Sequence, residues 1–190
     1  YEAVGMNAPD GEKVSFDPRV IVDGPVELWL LEVERCMRWA LQRETKTCLA
    51  ASKGKDKMRW IREFPGQLLI SIGTINFVVN CQRPLESDAP RKGLKLAWKR
   101  QVVYLNKLAD IVRQPLDKVS RKKVVALITV ELHNRDIMER MIRANCSNIN
   151  DFEWLSQLRL EFNPTEGRYG RIIAKQTKSM LEYGYEYQGN

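Results

Sequence analysis

The stretch QLLISIGTINFVVNC, residues 67–81, is apolar on almost every side at helical spacing. A helix without a polar face has to be covered by other elements, so it belongs at the centre of the fold. Gly73 within it either weakens the helix or marks a place of close packing. Much of the remaining chain reads as helices able to cover it. VELWLLEVERCMRWAL begins one behind Pro25, with Asp23 or Gly24 as cap. Its stripe is Val26, Leu30, Val33, Met37 and Leu41, widened by Trp29, Cys36 and Trp39. A face that broad predicts two neighbours, and the helix is expected to run to about Ala51. A short helix at residues 56–64 ends at Pro65. Long ones follow at residues 92–113 and from about Asp117 to about Ala144, separated by Pro115. QRPLESDAP reads as a loop. A last short helix, FEWLSQL, is capped by Asn150 or Asp151.

The strands are few. KVSF and RVIV near the start look like short extended pieces, after an APDG turn. RLEF and RIIA follow the last helix. The chain closes on SMLEYGYEYQGN, where Leu181, Tyr183, Tyr185 and Tyr187 fall on every second residue. That is the period of a strand with one apolar face, here with nothing after it to pair with. The expected class is mainly α: a helical bundle or arched helical array, with a few short β-strands near the C-terminal end.

Enzyme chemistry finds no foothold in these residues. There is no G-x-x-x-x-G-K-[ST] or G-x-G-x-x-G loop to cradle phosphate, and no H-E-x-x-H or G-x-S-x-G. His133, the sole histidine, sits two or three residues from Glu131 and Asp136, a spacing that does not converge on a helix. ELHNRDIMERM reads instead as a polar face, with Arg135 and Glu139 four apart as an ion pair. Cys36, Cys48, Cys81 and Cys146 are too scattered for a metal or redox pair and fit reduced, buried thiols. Asp151, Glu153 and Glu161 share no geometry that would hold a metal. Most of the five tryptophans lie in apolar stripes, which points to core packing more than to base stacking.

The net charge of +7 admits an acidic partner. Its densest clusters are SKGKDKMR, RKGLKLAWKR and SRKKV. Solvated helix faces explain them more simply than a nucleic-acid surface. No apolar run reaches the roughly 18–20 residues that span a bilayer. YEAVGMNAPDGEK lacks the basic and apolar parts of a signal peptide. It also lacks an initiator Met, so the expectation is a cytosolic chain that begins inside a longer one.

Several stretches together resemble one family, in one order along essentially the whole chain. VELWLLEVERCMRWAL resembles the helix in the linker of dynein heavy chains. DFEWLSQLRLEF followed by LEYGYEYQGN resembles the segment joining that linker to the first AAA+ module of the motor ring. ALITVELHNRDIMERMI is similar to the family helix with a His-x-Arg-Asp core, here His133, Arg135 and Asp136. GMNAPDGEKVSF fits the turn before the linker helix. FEWLSQLR and YGYEYQGN look closer to the axonemal branch than to the cytoplasmic one. Glu131 and Asn134 stand where the resemblance leads one to expect Asp and Ala, and Gln188 where it suggests Leu.

The resemblance implies that residues 1–162 form the ring-proximal part of the linker. Residues 163–190 would then form the junction and the first strand or strands of the first AAA+ module. It implies a lever that carries strain between a ring that hydrolyses ATP and the movement along microtubules. The expected partners are the AAA+ ring of the same chain, microtubules reached through the stalk, and other dynein chains. Neither membrane nor nucleic acid is expected as a partner. ATP and magnesium would belong to the downstream module, with no cofactor, metal or catalytic residue in this fragment. The place of action would be the cytoskeleton, in the axoneme of a cilium or flagellum. Trp154 and Leu158 are expected to anchor the junction, with Tyr183 and Tyr185 packed beneath them. The basic clusters at residues 53–59 and 91–100 are candidates for ring contacts. From the residues alone, a free-standing helical interaction module with a basic surface remains the competing reading.

Overall fold

The computed structural model describes residues 1–9 and 11–187. The chain opens with an antiparallel hairpin, β1 (Glu2–Asn7) and β2 (Lys13–Ile21), in which Gly5 faces Ser15 and Glu2 faces Ile21. The two pieces KVSF and RVIV are thus one strand, and AVGMN, which carries no clear two-residue alternation, is its partner. Strands therefore flank the helices at both ends of the chain, not only near the C-terminus. The turn read in APDG is closed by the Gly11 N–H donating to the Ala8 carbonyl at 2.9 Å. Asp10 lies outside the described residues. β2 turns Val14, Phe16 and Val20 inwards, and Phe16 and Val20 meet Cys36 of the first helix.

That helix, α1 (Val26–Ala51), buries Cys36, Ala40, Leu41, Thr45 and Cys48. Of the predicted stripe, Cys36 and Leu41 are buried and Val33 and Met37 pack against the cluster of Phe16, Val20 and Cys36, whereas Val26 and Leu30 are not covered. Val26 and Leu30, in the first turns of α1, are about half exposed. α2 (Lys57–Glu63) begins at Asp56, whose carboxylate accepts from the Arg59 N–H at 2.9 Å. α3 (Gly66–Leu85) is central, as its composition required, and buries Leu68, Leu69, Ile72, Phe77 and Val78 among others. It runs past the predicted end at Cys81 and takes in Pro84. Gly93 of α4 (Pro90–Val112) makes room there: a Cβ on Gly93 would lie 2.8 Å from the Pro84 ring. Leu85 and Leu94 are buried alongside. A proline near a helix end costs one hydrogen bond, and this packing offsets it.

α5 (Lys118–Arg143) starts at Asp117, which accepts from the Ser120 N–H at 2.9 Å. Arg135 does not pair with Glu139 as the spacing suggested. It turns to Asp136 at 2.6 Å, and Glu139 takes Arg143, one turn on. α6 (Phe152–Leu155) leads into a meander of β3 (Arg159–Asn163), β4 (Arg171–Gln176) and β5 (Ser179–Glu182), in the order β3-β4-β5. The terminal strand thus has a partner, with Leu181 facing Ala174 of β4. It also ends earlier than the tyrosine alternation predicted. Tyr185 adopts φ +52°, in the left-handed region, which takes the backbone out of strand geometry. Gln188, Gly189 and Asn190 lie outside the described residues.

Two main clusters fill the interior. One joins α1, α2, α3 and α5 to the hairpin and the C-terminal segment through Leu41, Trp60, Leu69, Leu127, Ile172 and Tyr185. The other lies towards the far end of α3, with Phe77, Val78, Leu94, Met138, Met141 and Trp154. No described helix is long and apolar enough to cross a membrane.

Candidate functional site

The four residues expected at the junction do not form one group. Trp154 is 1% exposed and belongs to the second cluster, its ring 6.0 Å from that of Phe77. Leu158 is 58% exposed and belongs to none of the buried clusters of the described residues. Tyr185 is buried in the first cluster, with Tyr183 edge-on to it at 4.9 Å between ring centroids. The two tyrosines therefore pack against each other and the helices, away from Trp154.

The tyrosine segment is bonded into the helical body residue by residue. The Tyr185 hydroxyl lies 3.3 Å from that of Thr45 on α1, and burial pushes its phenol up to about 12. The Tyr183 hydroxyl accepts from the Gln67 amide at 2.9 Å, and the same amide donates to the Glu186 carbonyl. Tyr187 donates to Glu12 at 3.0 Å. Glu12 is the meeting point. One of its oxygens takes the Gly66 N–H, which opens α3, at 2.8 Å. The same oxygen takes Lys123 of α5 at 3.0 Å. Lys123 in turn donates to the Phe64 carbonyl at 2.8 Å. Both charged side chains are nearly buried, at 12% and 10% exposure. The hairpin loop, the start of α3, α5 and the C-terminal segment thus converge on one carboxylate. Sequence reasoning missed Glu12, because a glutamate in a GEK turn looks like solvated surface. The alternation of Tyr183, Tyr185 and Tyr187 was the visible half of the signal.

His133 is exposed while Glu131 faces inwards, so the two do not converge. Among the described residues no group of His, Cys, Asp and Glu has a geometry that could hold a metal ion. All four thiols are free and buried. Burial drives Cys48 up to about 12 and raises Cys81 further, which leaves both as unreactive packing groups. Trp60 and Trp154 are core residues. Trp39 is partly exposed, with the Arg35 guanidinium 4.9 Å above its ring.

No protein-family model matches the chain. The Dynein-1-beta heavy chain of the flagellar inner arm I1 complex, from Chlamydomonas reinhardtii, is 43% identical over 189 residues, or 99% of this chain. The human Dynein axonemal heavy chain 2 is 38% identical over 195 residues, the whole of this chain. Over its whole length the chain is homologous to axonemal dynein heavy chains. The ciliary Dynein beta chain of Tripneustes gratilla matches at 29% over 191 residues. The chain spans about 4% of the length of each of these dynein heavy chains.

The two departures noted in the His-x-Arg-Asp helix touch each other. The Asn134 amide donates to the Glu131 carboxylate at 3.2 Å, and Gln101 of α4 donates to the same oxygen at 2.6 Å. The other Glu131 oxygen would lie 2.7 Å from a Cβ on Gly73, so the glycine marks close packing of α3 on α5. Glu131 lines a cavity of about 260 Å³, with Lys57 at its edge. Burial raises the Glu131 pKa, against the lowering effect of Gln101, Asn134 and Lys57. The folded state therefore favours the protonated form. The stability this contributes is full below the unfolded carboxylate pKa and is lost as pH rises through the folded one. Glu131→Gln keeps an acceptor for both amides and removes the titration. Its stability relative to the parent chain is expected to improve as pH rises above the ordinary glutamate range, measured by urea unfolding. A gap independent of pH would show that Glu131 does not carry this linkage.

Proposed function

We propose that the chain is a force-transmitting linker segment of an axonemal dynein heavy chain. Residues 1–162 form the ring-proximal part of the lever, and residues 163–190 lead into the first AAA+ module. ATP and magnesium are held by that downstream module. Microtubules are reached through the stalk, and the segment works in the axoneme of a cilium or flagellum. Its immediate partner is the AAA+ ring of the same heavy chain, within a complex with other dynein chains.

The observation that carries this reading is the bonding of the C-terminal segment to the body. Tyr185 reaches α1, Tyr183 reaches α3, and Tyr187 reaches the hairpin through Glu12. A displacement applied beyond residue 187 is then passed to α1, α3 and the hairpin together and is not lost in a hinge. The identity with axonemal heavy chains over the whole chain supports the same assignment.

The test uses the heavy chain that contains this segment. A donor dye is attached through Lys46→Cys, an exposed site on α1, and an acceptor is placed on the ATPase module. Transfer efficiency is expected to differ between the ATP-bound and ADP-bound motor, because only contacts that differ between states shift such an equilibrium. Equal efficiency in both states, in a motor that still glides microtubules, would remove the lever assignment.

A further inference from the structure

The turn between α1 and α2 lies beside the outward face of α4. Lys53, Lys55 and Lys57 come together there with Lys99, Arg100 and Lys107 around an open groove of about 730 Å³. All are exposed except Lys57, which is half-buried and bonded to the Ser52 carbonyl. None of the six forms an ion pair with a described carboxylate. The acids nearby are already engaged: Asp56 caps α2, Asp110 takes Arg113, and Glu131 is held by Gln101 and Asn134. Elsewhere on the surface many arginines are paired, as in Arg35–Glu32, Arg38–Glu34 and Arg43–Asp17. The groove is therefore a local excess of positive charge. The basic face continues along α4 through Lys95 to Arg91, over roughly 24 Å at the rise of a helix.

The chemistry of the groove selects among anionic partners. Five of its six cations are lysines on flexible stems, and no backbone N–H cradle or bidentate arginine pair is built for a single phosphate. Its floor is partly apolar, with Val103 54% exposed and Leu96 49% exposed further along α4. The aromatic ring in the groove, Tyr104, is half-buried and has the Lys57 ammonium 5.7 Å from its centroid, so it offers no stacking platform for bases. An elongated basic groove with aliphatic gaps fits a polypeptide that presents carboxylates along its length and an apolar side chain between them. We propose that this groove docks an acidic segment of a partner protein. This goes beyond the lever assignment and does not depend on it.

The test is fluorescence anisotropy with the 190-residue chain and a fluorescein-labelled peptide of glutamates interspersed with leucines. The peptide is expected to bind, with affinity falling as salt rises. Lys99→Glu with Lys107→Glu should weaken it by about tenfold or more, since both charges become repulsive. Lys13→Glu with Lys178→Glu, exposed sites away from the groove, should leave it unchanged. Val103→Asn should weaken it at both low and high salt, because it removes apolar contact and not charge. Circular dichroism confirms that each variant is folded. Absence of binding, or equal loss with the distant pair, would overturn the proposal. So would tighter binding of a single-stranded oligonucleotide or of phosphatidylserine vesicles than of the peptide.

Discussion

Glu12→Ala is expected to destabilise the chain by about 3–5 kcal/mol, although the residue sits in a short hairpin loop. The alanine leaves Lys123 as a nearly buried charge with only the Phe64 carbonyl among the partners described above. It also takes the acceptor from the Gly66 N–H at the start of α3 and from the Tyr187 hydroxyl. A loop glutamate in solvent would cost a few tenths of a kcal/mol, so the two readings are well separated in a urea titration. Lys123→Met in the Glu12→Ala background should recover part of the loss, because it removes the stranded charge. The double variant is then less destabilised than the sum of the singles, which a double-mutant cycle measures directly. Additive effects would mean that the two charges do not interact. In native-state hydrogen exchange, Glu12→Ala should also speed exchange at the amides around residues 183–187, the part of the chain that Tyr187 ties down.

The helical architecture was legible because periodicity reports burial. The all-round apolar stretch of α3 could only be central, and Pro65 and Pro115 mark the breaks that the structure shows. What failed were readings that depend on partners. The stripe of α1 holds from Val33 to Leu41 but not at Val26 and Leu30, which are half exposed, and the buried face goes on through Ala40, Thr45 and Cys48, small or polar residues that the stripe did not include. QRPLESDAP looked like a loop after a helix ending at Cys81, yet Gly93, distant in sequence, gives Pro84 space within α3. The tyrosine alternation was real and was misread as a strand awaiting partners. Its side chains serve helices on the same body. The Glu131 network was half visible, as two residues at odds with the expected helix. Gln101, from another element, was needed to see why they occur together.

Trp154→Ala is expected to cost about 3–5 kcal/mol as a core truncation. The indole is 1% exposed and fills the space between Phe77 of α3 and the Met138 and Met141 side of α5. Cavity formation is only part of the cost. The Arg159 guanidinium lies 5.6 Å from the Trp154 ring centroid, its Nε is buried without a hydrogen-bond partner among the described residues, and the residue is 9% exposed. Removing the indole takes away the aromatic face against which that charge rests. Trp154→Phe, which keeps a smaller ring, should therefore lose less than Trp154→Ala. Arg159→Met should be less costly in the Trp154→Ala background than in the parent chain, because the cation has already lost its platform. If Arg159→Met costs the same in both backgrounds, the cation–ring contact contributes nothing. Trp154 then acts only by volume. The distinction bears on the proposed lever role, because α6 carries Trp154 and β3 carries Arg159. Their contact, with the packing of Trp154 on α3 and α5, ties the C-terminal sheet to the second cluster. Leu160, Ile172 and the tyrosine segment tie it to the first. In the proposed lever, attachment to both clusters would resist rotation about either one. Loss of Trp154 should leave the sheet held to the first cluster through Leu160, Ile172 and the tyrosine segment, with faster hydrogen exchange in α6 and at the start of β3 than in β4.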